Sequence, residues 1–501
     1  MAFDRVFRPA VFLIAIVALF ASQIAIRLGS DLNHDTAWFL YIARGLLDGG
    51  ELYRDFVEVN PPLAMWLTVP LVMLSRATGV GPIETLYAVF FAITALSLLL
   101  VWRYLAMLRG LPKWTVGFVL FLLAAAFLFM PGSSFGQREH LLILLFTPWF
   151  MLRAVRSQGA HVSVSESALI GVMGAIAVCL KPHAILAPIA LEAALLLRSR
   201  NLRTMFAPEN IAAVIFAALY GAAMVIWSPA FLAGMVQLGI AAYVPYYGLD
   251  AAEIPQRGAL PGFVLALSLA LIYMARGPMR NLAILAFATG VGFLAAYFLQ
   301  AKGFNYQIMP ARIFAVASGI FAIAGILGEL SAGRLRKLLV IPAIIVVFVI
   351  TLLSLSTQAY VFRGQLFAAA ISQHRPDAKS FFIASTNVFN GFPLAVRENL
   401  VWASRFPALW LMPYVADRWR DGPLPDDPII AYTLDALVTD LLKFHPDVIF
   451  INQSSTQDYI RGGTFDYLKF MHQDPRFAAI WTTYELRGQA GKFAVYVAKS
   501  P

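Results

Sequence analysis

Leu63-Ala-Met-Trp66-Leu-Thr-Val-Pro70-Leu-Val-Met-Leu74 is an apolar run broken by one threonine and one proline. Whether it crosses a membrane decides the sense of every loop after it. It falls well short of the ~20 residues a helix needs to span a ~30 Å hydrocarbon core. Pro70 removes a helical hydrogen bond in its middle. The run is therefore expected to form an amphipathic or half-inserted helix on the outer surface. Spans are then predicted near 10–28, 84–105, 114–131, 140–155, 166–181, 183–198, 210–228, 261–276, 281–299, 311–330 and 338–356. Joins with Arg103/Arg109/Lys113, Arg153/Arg156, Arg198/Arg200/Arg203, Arg276/Arg280 and Arg334/Arg336/Lys337 alternate with joins at 29–83, 132–139, 181–183, 229–260 and 300–310. Cytoplasmic loops carry the Lys/Arg excess, so the first set faces the cytoplasm. Counting 63–74 as a span would put every later basic join outside.

Composition agrees. The chain is 60% hydrophobic and 13% charged, where soluble domains sit near a quarter charged. The net charge of +10 lies in short joins and comes with no nucleic-acid-binding motif, so no nucleic acid is expected as a partner. Cys179 is the single cysteine and excludes an internal disulfide. The run 9–28 follows Arg5 and Arg8, is long for a signal peptide, and reads as an uncleaved first span with its N-terminus inside. After residue 356 the pattern turns mixed polar, with strand-like Phe381–Ala384, Asp447–Ile451 and Phe493–Ala498 and helical spacing over Ala436–Phe444. The expected architecture is an all-α polytopic membrane bundle of about 11 transmembrane helices over 1–356. A soluble α/β domain follows over 357–501, on the outer, periplasmic side of a bacterial inner membrane.

The ionisable residues of the outer joins form four groups. The first loop, Asp31-Leu-Asn-His-Asp35-Thr-Ala-Trp38-Phe-Leu-Tyr41, runs on through Arg44, Asp48, Gly49-Gly50, Tyr53-x-Asp55, Glu58, Asn60 and Pro61-Pro62. Its spacing predicts a helix over Thr36–Asp48 with Asp35 at the N-cap and Gly49-Gly50 ending it. The second group is Gly136-Gln137-Arg138-Glu139-His140, the third Lys181-Pro182-His183, and the fourth Gln300 to Pro310 with Lys302 and Tyr306. The plain alternatives are solvated loops, snorkelling side chains and a Gly/Pro turn, with Trp38 and Trp66 as belt anchors. Charges at membrane depth are usually retained because they pair or work. His34, Asp35, Glu139, His140 and His183 show no known metal-ligand spacing, so a divalent metal is not favoured and no cofactor is assigned. No phosphate loop or Ser-His-Asp signature occurs, and ATP-driven transport lacks support.

Asp35, its helix to Gly49-Gly50, Tyr53-x-Asp55 and Glu58-Val-Asn-Pro61-Pro62-Leu63-x-x-Trp66 resemble the first outer loop of the GT-C fold glycosyltransferases. The bacterial branch with the lipid A aminoarabinose transferase, the rhizobial galacturonosyltransferases and protein O-mannosyltransferase-like enzymes is nearest in pattern. The resemblance covers roughly 10–330. It implies that Asp35 is the first-loop catalytic acid, which takes the proton from an acceptor hydroxyl, and Glu139 the second acid. It implies that Lys181, assisted by Arg138, holds the lipid phosphate. Tyr306 and Pro310 match a Tyr-x-x-Pro loop. Glu58, Asn60, His140, His183 and Tyr306 are substrate-binding candidates, with Tyr243, Tyr246 and Tyr247 as gate or acceptor contacts. Relatives often place an acid after the first one; Thr36 stands there instead. The implied reaction moves a sugar from a polyprenyl-phosphate donor to a hydroxyl of a glycolipid, lipopolysaccharide, polysaccharide or protein, with inversion. The competing readings are a lipid or lipid-linked-sugar flippase and a non-catalytic scaffold.

Overall fold

A computed structural model describes residues 9–248, 250–329 and 364–499. The expected span 338–356, the basic join at 334–337 and the boundary at 356/357 lie outside them. Seven described helices are long and apolar enough to cross a membrane: Pro9–Leu28, Pro82–Ala106, Pro182–Ser199, Pro208–Trp227, Glu253–Met274, Gly277–Gln300 and Met309–Gly328. Helices Lys113–Phe129, Arg138–Arg156 and Val164–Leu180 underlie three more expected spans but are shorter or more charged. The chain is an integral membrane protein, mostly helical, with a small mixed sheet near its C-terminus.

The described residues fall into two compact units. The first comprises 9–30, 86–222 and 250–329, with Gly248. Its helices approach closely where small residues permit, as membrane helices do in place of hydrophobic drive. A Cβ on Gly171 would stand 2.2 Å from the Glu209 carbonyl oxygen. The helix starting at residue 253 begins earlier than the predicted span at 261, because Pro261 is accommodated inside it.

The second unit comprises 31–85, 223–247 and 364–499. The first loop therefore packs with the C-terminal sheet. Arg397 donates both contacts of a 3.0 Å pair to Asp31, and the Val57 N–H donates to the Arg405 carbonyl at 2.7 Å. Helix His34–Leu47 is capped by Asn33, whose side chain accepts the Asp35 N–H at 3.0 Å. This corrects the expected Asp35 cap. The helix starts two residues earlier than predicted, so Asn33 holds the cap position and its side-chain oxygen satisfies an orphan N–H, while Asp35 falls in the first turn. Helix Leu63–Thr78 has 16 residues with Pro70 inside it; Leu63, Ala64, Met65, Thr68, Val72 and Ser75 are buried, and Met73 and Leu74 are exposed.

The sheet has strand order β2-β1-β3-β5-β4, with β1 Ser380–Ala384, β2 Val401–Trp402, β3 Val448–Asn452, β4 Tyr484–Ala490 and β5 Phe493–Ala498. β1 is parallel to both β2 and β3; β5 is antiparallel to β3 and β4. Helix Pro428–Phe444 begins at Asp427, which accepts two backbone N–H groups. The predicted strands Phe381–Ala384 and Phe493–Ala498 and the helix over Ala436–Phe444 fall within these elements, and Asp447–Ile451 overlaps β3 from Val448 on. The edge strand β4 was not predicted. It carries Glu485, Arg487 and Gly488 and a bulge between Leu486 and Gly488, so it shows no apolar alternation.

Candidate functional site

In the first unit the site is built at two helix ends. Gly136, with φ +91°, makes a backbone turn that side-chain-bearing residues resist. Gln137 then caps helix Arg138–Arg156 and puts Glu139 in its first turn, where the helix dipole favours a carboxylate. The second end follows from Pro182. A residue before proline is pushed toward extended backbone, and Lys181, at φ −144° and ψ 89°, ends helix Val164–Leu180 there. The two ends meet: Lys181 Nζ lies 2.6 Å from Glu139 Oε1, with the side chains 10% and 4% exposed. The Tyr306 ring stands 5.5 Å from the same ammonium and stacks on Phe304 at 5.7 Å.

More cation surrounds this pair. Lys302, in the join after helix Gly277–Gln300, has its pKa pushed down to about 7, first by burial and then by the charge of Lys181. The charges of Lys181 and Arg138 both reach the His183 imidazole in the turn Pro182–Ile185. Glu139 thus pairs with Lys181, while Lys302 lies within reach of the Lys181 charge and Arg138 within reach of His183. Next to it, on the segments flanking Lys181, an apolar cavity of about 470 Å³ is lined by Trp149, Val178, Cys179, Ile185, Ile189 and Glu192 among others.

His140 departs from its expected role. It is fully buried, its Nδ1 accepts the Gly136 N–H at 3.3 Å, and its ring lies 4.5 Å from Phe135 and 5.5 Å from Phe90. It holds the turn before Glu139 and is enclosed from any substrate. Arg27 was missed. Buried at the end of helix Pro9–Leu28, it donates to the Gly132 carbonyl at 3.0 Å and stands 4.7 Å from the Phe135 ring, bracing the same turn. Its position inside a predicted span gave no sequence signal.

At the other end of helix Arg138–Arg156, Arg153 pairs with Glu192 at 2.6 Å and Glu209 at 3.0 Å, and Arg156 with Glu209 at 2.9 Å. Arg156 also donates to Ser167 at 2.7 Å. Arg153 and Arg156, read from the sequence as charges of a basic join, lie in the last turn of helix Arg138–Arg156 and pair with acids, one of which, Glu192, lies within helix Leu186–Ser199.

In the second unit Asp35 is half-buried, with His34 Nε2 3.6 Å from its Oδ1. Glu58 is buried; its carboxylate accepts Trp38 Nε1 at 2.8 Å and the Asn60 N–H at 2.9 Å. The Tyr53 hydroxyl donates to the Asn60 carbonyl at 2.8 Å. Glu58 and Asn60 thus fasten the loop to its helix. Trp38 is core and no belt anchor, with Phe392 at 5.2 Å. Among the described residues no group of three His, Cys, Asp or Glu is placed to hold a metal ion.

The membrane helices and the mixed sheet make the fold that of the GT-C glycosyltransferases. The particular likeness is to ArnT from Cupriavidus metallidurans, whose crystal structure is bound to undecaprenyl phosphate: TM-score 0.57 and 11% identity, over 98% of this chain and 99% of that one. Arabinofuranosyltransferase AftD from mycobacteria aligns with TM-score 0.46 and 13% identity over 99% of this chain and 40% of its own. No protein-family model and no curated protein matches the chain.

Proposed function

We propose that the chain is a membrane glycosyltransferase that moves a sugar from a polyprenyl-phosphate donor to a hydroxyl of an envelope glycolipid, polysaccharide or protein. The observation that carries this reading is the Glu139–Lys181 pair under Tyr306 on a GT-C fold. The leaving group is a phosphate that needs no strong acid. It needs fixed positive charge, which Lys181 and Arg138 supply. Glu139 fixes the ammonium before the phosphate arrives and remains the second acid. Asp35, released from capping, is the base that takes the acceptor proton. His183 and Tyr306 border the phosphate. The apolar cavity beside Lys181 suits a prenyl tail. The alternation of basic joins supports a periplasmic face for these residues, a cytoplasmic N-terminus, a periplasmic C-terminal domain and an inner-membrane location. A flippase is not favoured: the fold likeness is to transferases, and Glu192 is locked in an ion pair.

Mass spectrometry of envelope glycolipids with and without the protein should show one sugar-sized mass difference. In nanodiscs, Asp35→Asn should cut transfer from a polyprenyl-phosphate sugar by roughly 10²–10⁴-fold. Transfer at the wild-type rate would remove Asp35 from the chemistry.

A further inference from the structure

The carboxyl end of the C-terminal sheet holds a cluster that the transfer step does not use. β1 and β3 are neighbours and parallel, yet the chain leaves β1 for β2 on one side and β3 for β4, beyond β5, on the other. In open α/β sheets, ligands bind at the carboxyl ends of strands where connections diverge in this way. The loops leaving these two ends are 385–391 and 453–461, and they are tied together. Thr386 Oγ1 donates to the Asp458 carbonyl at 2.7 Å, and Asn387 Nδ2 donates to the Asp458 carboxylate.

Tyr459 follows at φ +64°, backbone that a bulky residue adopts only when its surroundings impose it. Its ring lies 4.3 Å from Tyr247, which stacks on Tyr243 at 4.8 Å and donates to the Thr386 carbonyl at 3.3 Å. Burial, then the charges of Asp458 and Asp35, push the Tyr459 phenol up, so the first-loop acid reaches this cluster. The Tyr467 hydroxyl is buried with no hydrogen-bond partner among the described residues, within reach of the Asp458 charge. Asp458 is exposed and Tyr459 half-exposed.

An aromatic face beside carboxylate and amide groups fits one ligand chemistry. Ring C–H bonds lie on the aromatic face while hydroxyls donate to the acids. Two carboxylates repel an anionic ligand. We propose that the β1/β3 strand ends form a subsite for one neutral sugar ring, stacked on Tyr459 and hydrogen-bonded by Asp458 and Asn387. This rests on the glycosyltransferase reading and adds the class of sugar and the residues that select it.

The test uses the full-length protein in nanodiscs and saturation-transfer NMR with methyl glycosides of neutral hexoses and pentoses, against methyl glucuronide. At least one neutral glycoside should show saturation and the glucuronide none. Tyr459→Leu and Asp458→Asn should each weaken the signal about tenfold or more, with thermal unfolding unchanged; Asp458→Asn keeps the side-chain shape if the tyrosine variant fails to fold. Displacement by a polyprenyl-phosphate sugar assigns the ring to the donor, and no displacement assigns it to the acceptor. A protein that transfers sugar yet saturates no neutral glycoside, or folded variants that keep the signal, overturns the subsite alone. Glycoside binding without any transfer overturns the transferase reading alone.

Discussion

Helix Arg138–Arg156 carries buried charge at both ends, and the two ends are balanced differently. At its C-terminal end two arginines meet two glutamates, Arg153 and Arg156 against Glu192 and Glu209, with forked contacts and a further bond to the Thr204 carbonyl at 2.9 Å. About 21 Å away along the helix, at 1.5 Å per residue, Glu139 faces Lys181, with Lys302 and Arg138 adding charge. A balanced, multiply bonded set has no charge left for a ligand and serves to lock helices. The Glu139–Lys181 contact is a single ammonium–carboxylate pair at a membrane border, a geometry in which a ligand anion can compete for the ammonium. The difference marks the first set as a helix lock and leaves the second as the end that we propose for binding.

The sharpest way to break the comparison is at the balanced end. Arg153→Met leaves Glu192 and Glu209 buried with only Arg156 between them. Stripping one partner from such a network costs about 3–5 kcal/mol. Thermal unfolding of the purified protein in detergent should show a large drop in Tm, with activity falling only as folded protein is lost. A variant of unchanged Tm would show that the network locks nothing.

The Glu139–Lys181 end should answer in activity first and stability second. Lys181→Met should lower transfer by roughly 10²–10³-fold, the loss typical of one transition-state charge donor. It also strands the buried Glu139, so Tm should fall as well. The double variant Lys181→Met with Glu139→Gln separates the effects: stability should return while transfer stays lost. Recovery of activity in the double variant would reduce Lys181 to a counter-ion for Glu139.

These contrasts also explain what the sequence disclosed. The helices were legible because most are apolar runs bounded by Arg, Lys, Gly or Pro, and the run 63–74 falls within helix Leu63–Thr78. Lys181 and Glu139 stood out because charge at a span end is rare. Ion pairing itself was illegible: nothing local marks Glu192 or Glu209 as the partners of Arg153. The contact of Asp31 with Arg397, 366 residues on, was equally hidden, so the first loop's union with the C-terminal sheet could not be read. Glu58 looked like a site acid and is a loop clasp, since a carboxylate shows its partners only after folding.

The smallest effect is the most specific to Lys302. Lys302, with its pKa near 7, is half-charged at neutral pH. A bound phosphate would raise that pKa, so binding takes up a proton and affinity should fall as pH rises through 7. The limit for one linked proton is about tenfold per pH unit. The sign for stability is the reverse. The unfolded lysine stays protonated up to its ordinary pKa, so stability should rise as pH climbs above 7. Undecaprenyl phosphate titrates near neutrality itself, so its binding must be compared from pH 6 to 8 in wild type and in Lys302→Arg, whose cation does not titrate. The slope should be shallower in the variant by the share that Lys302 contributes. Identical slopes would place Lys302 outside the phosphate's reach and leave Lys181 and Arg138 as the only cations that meet it.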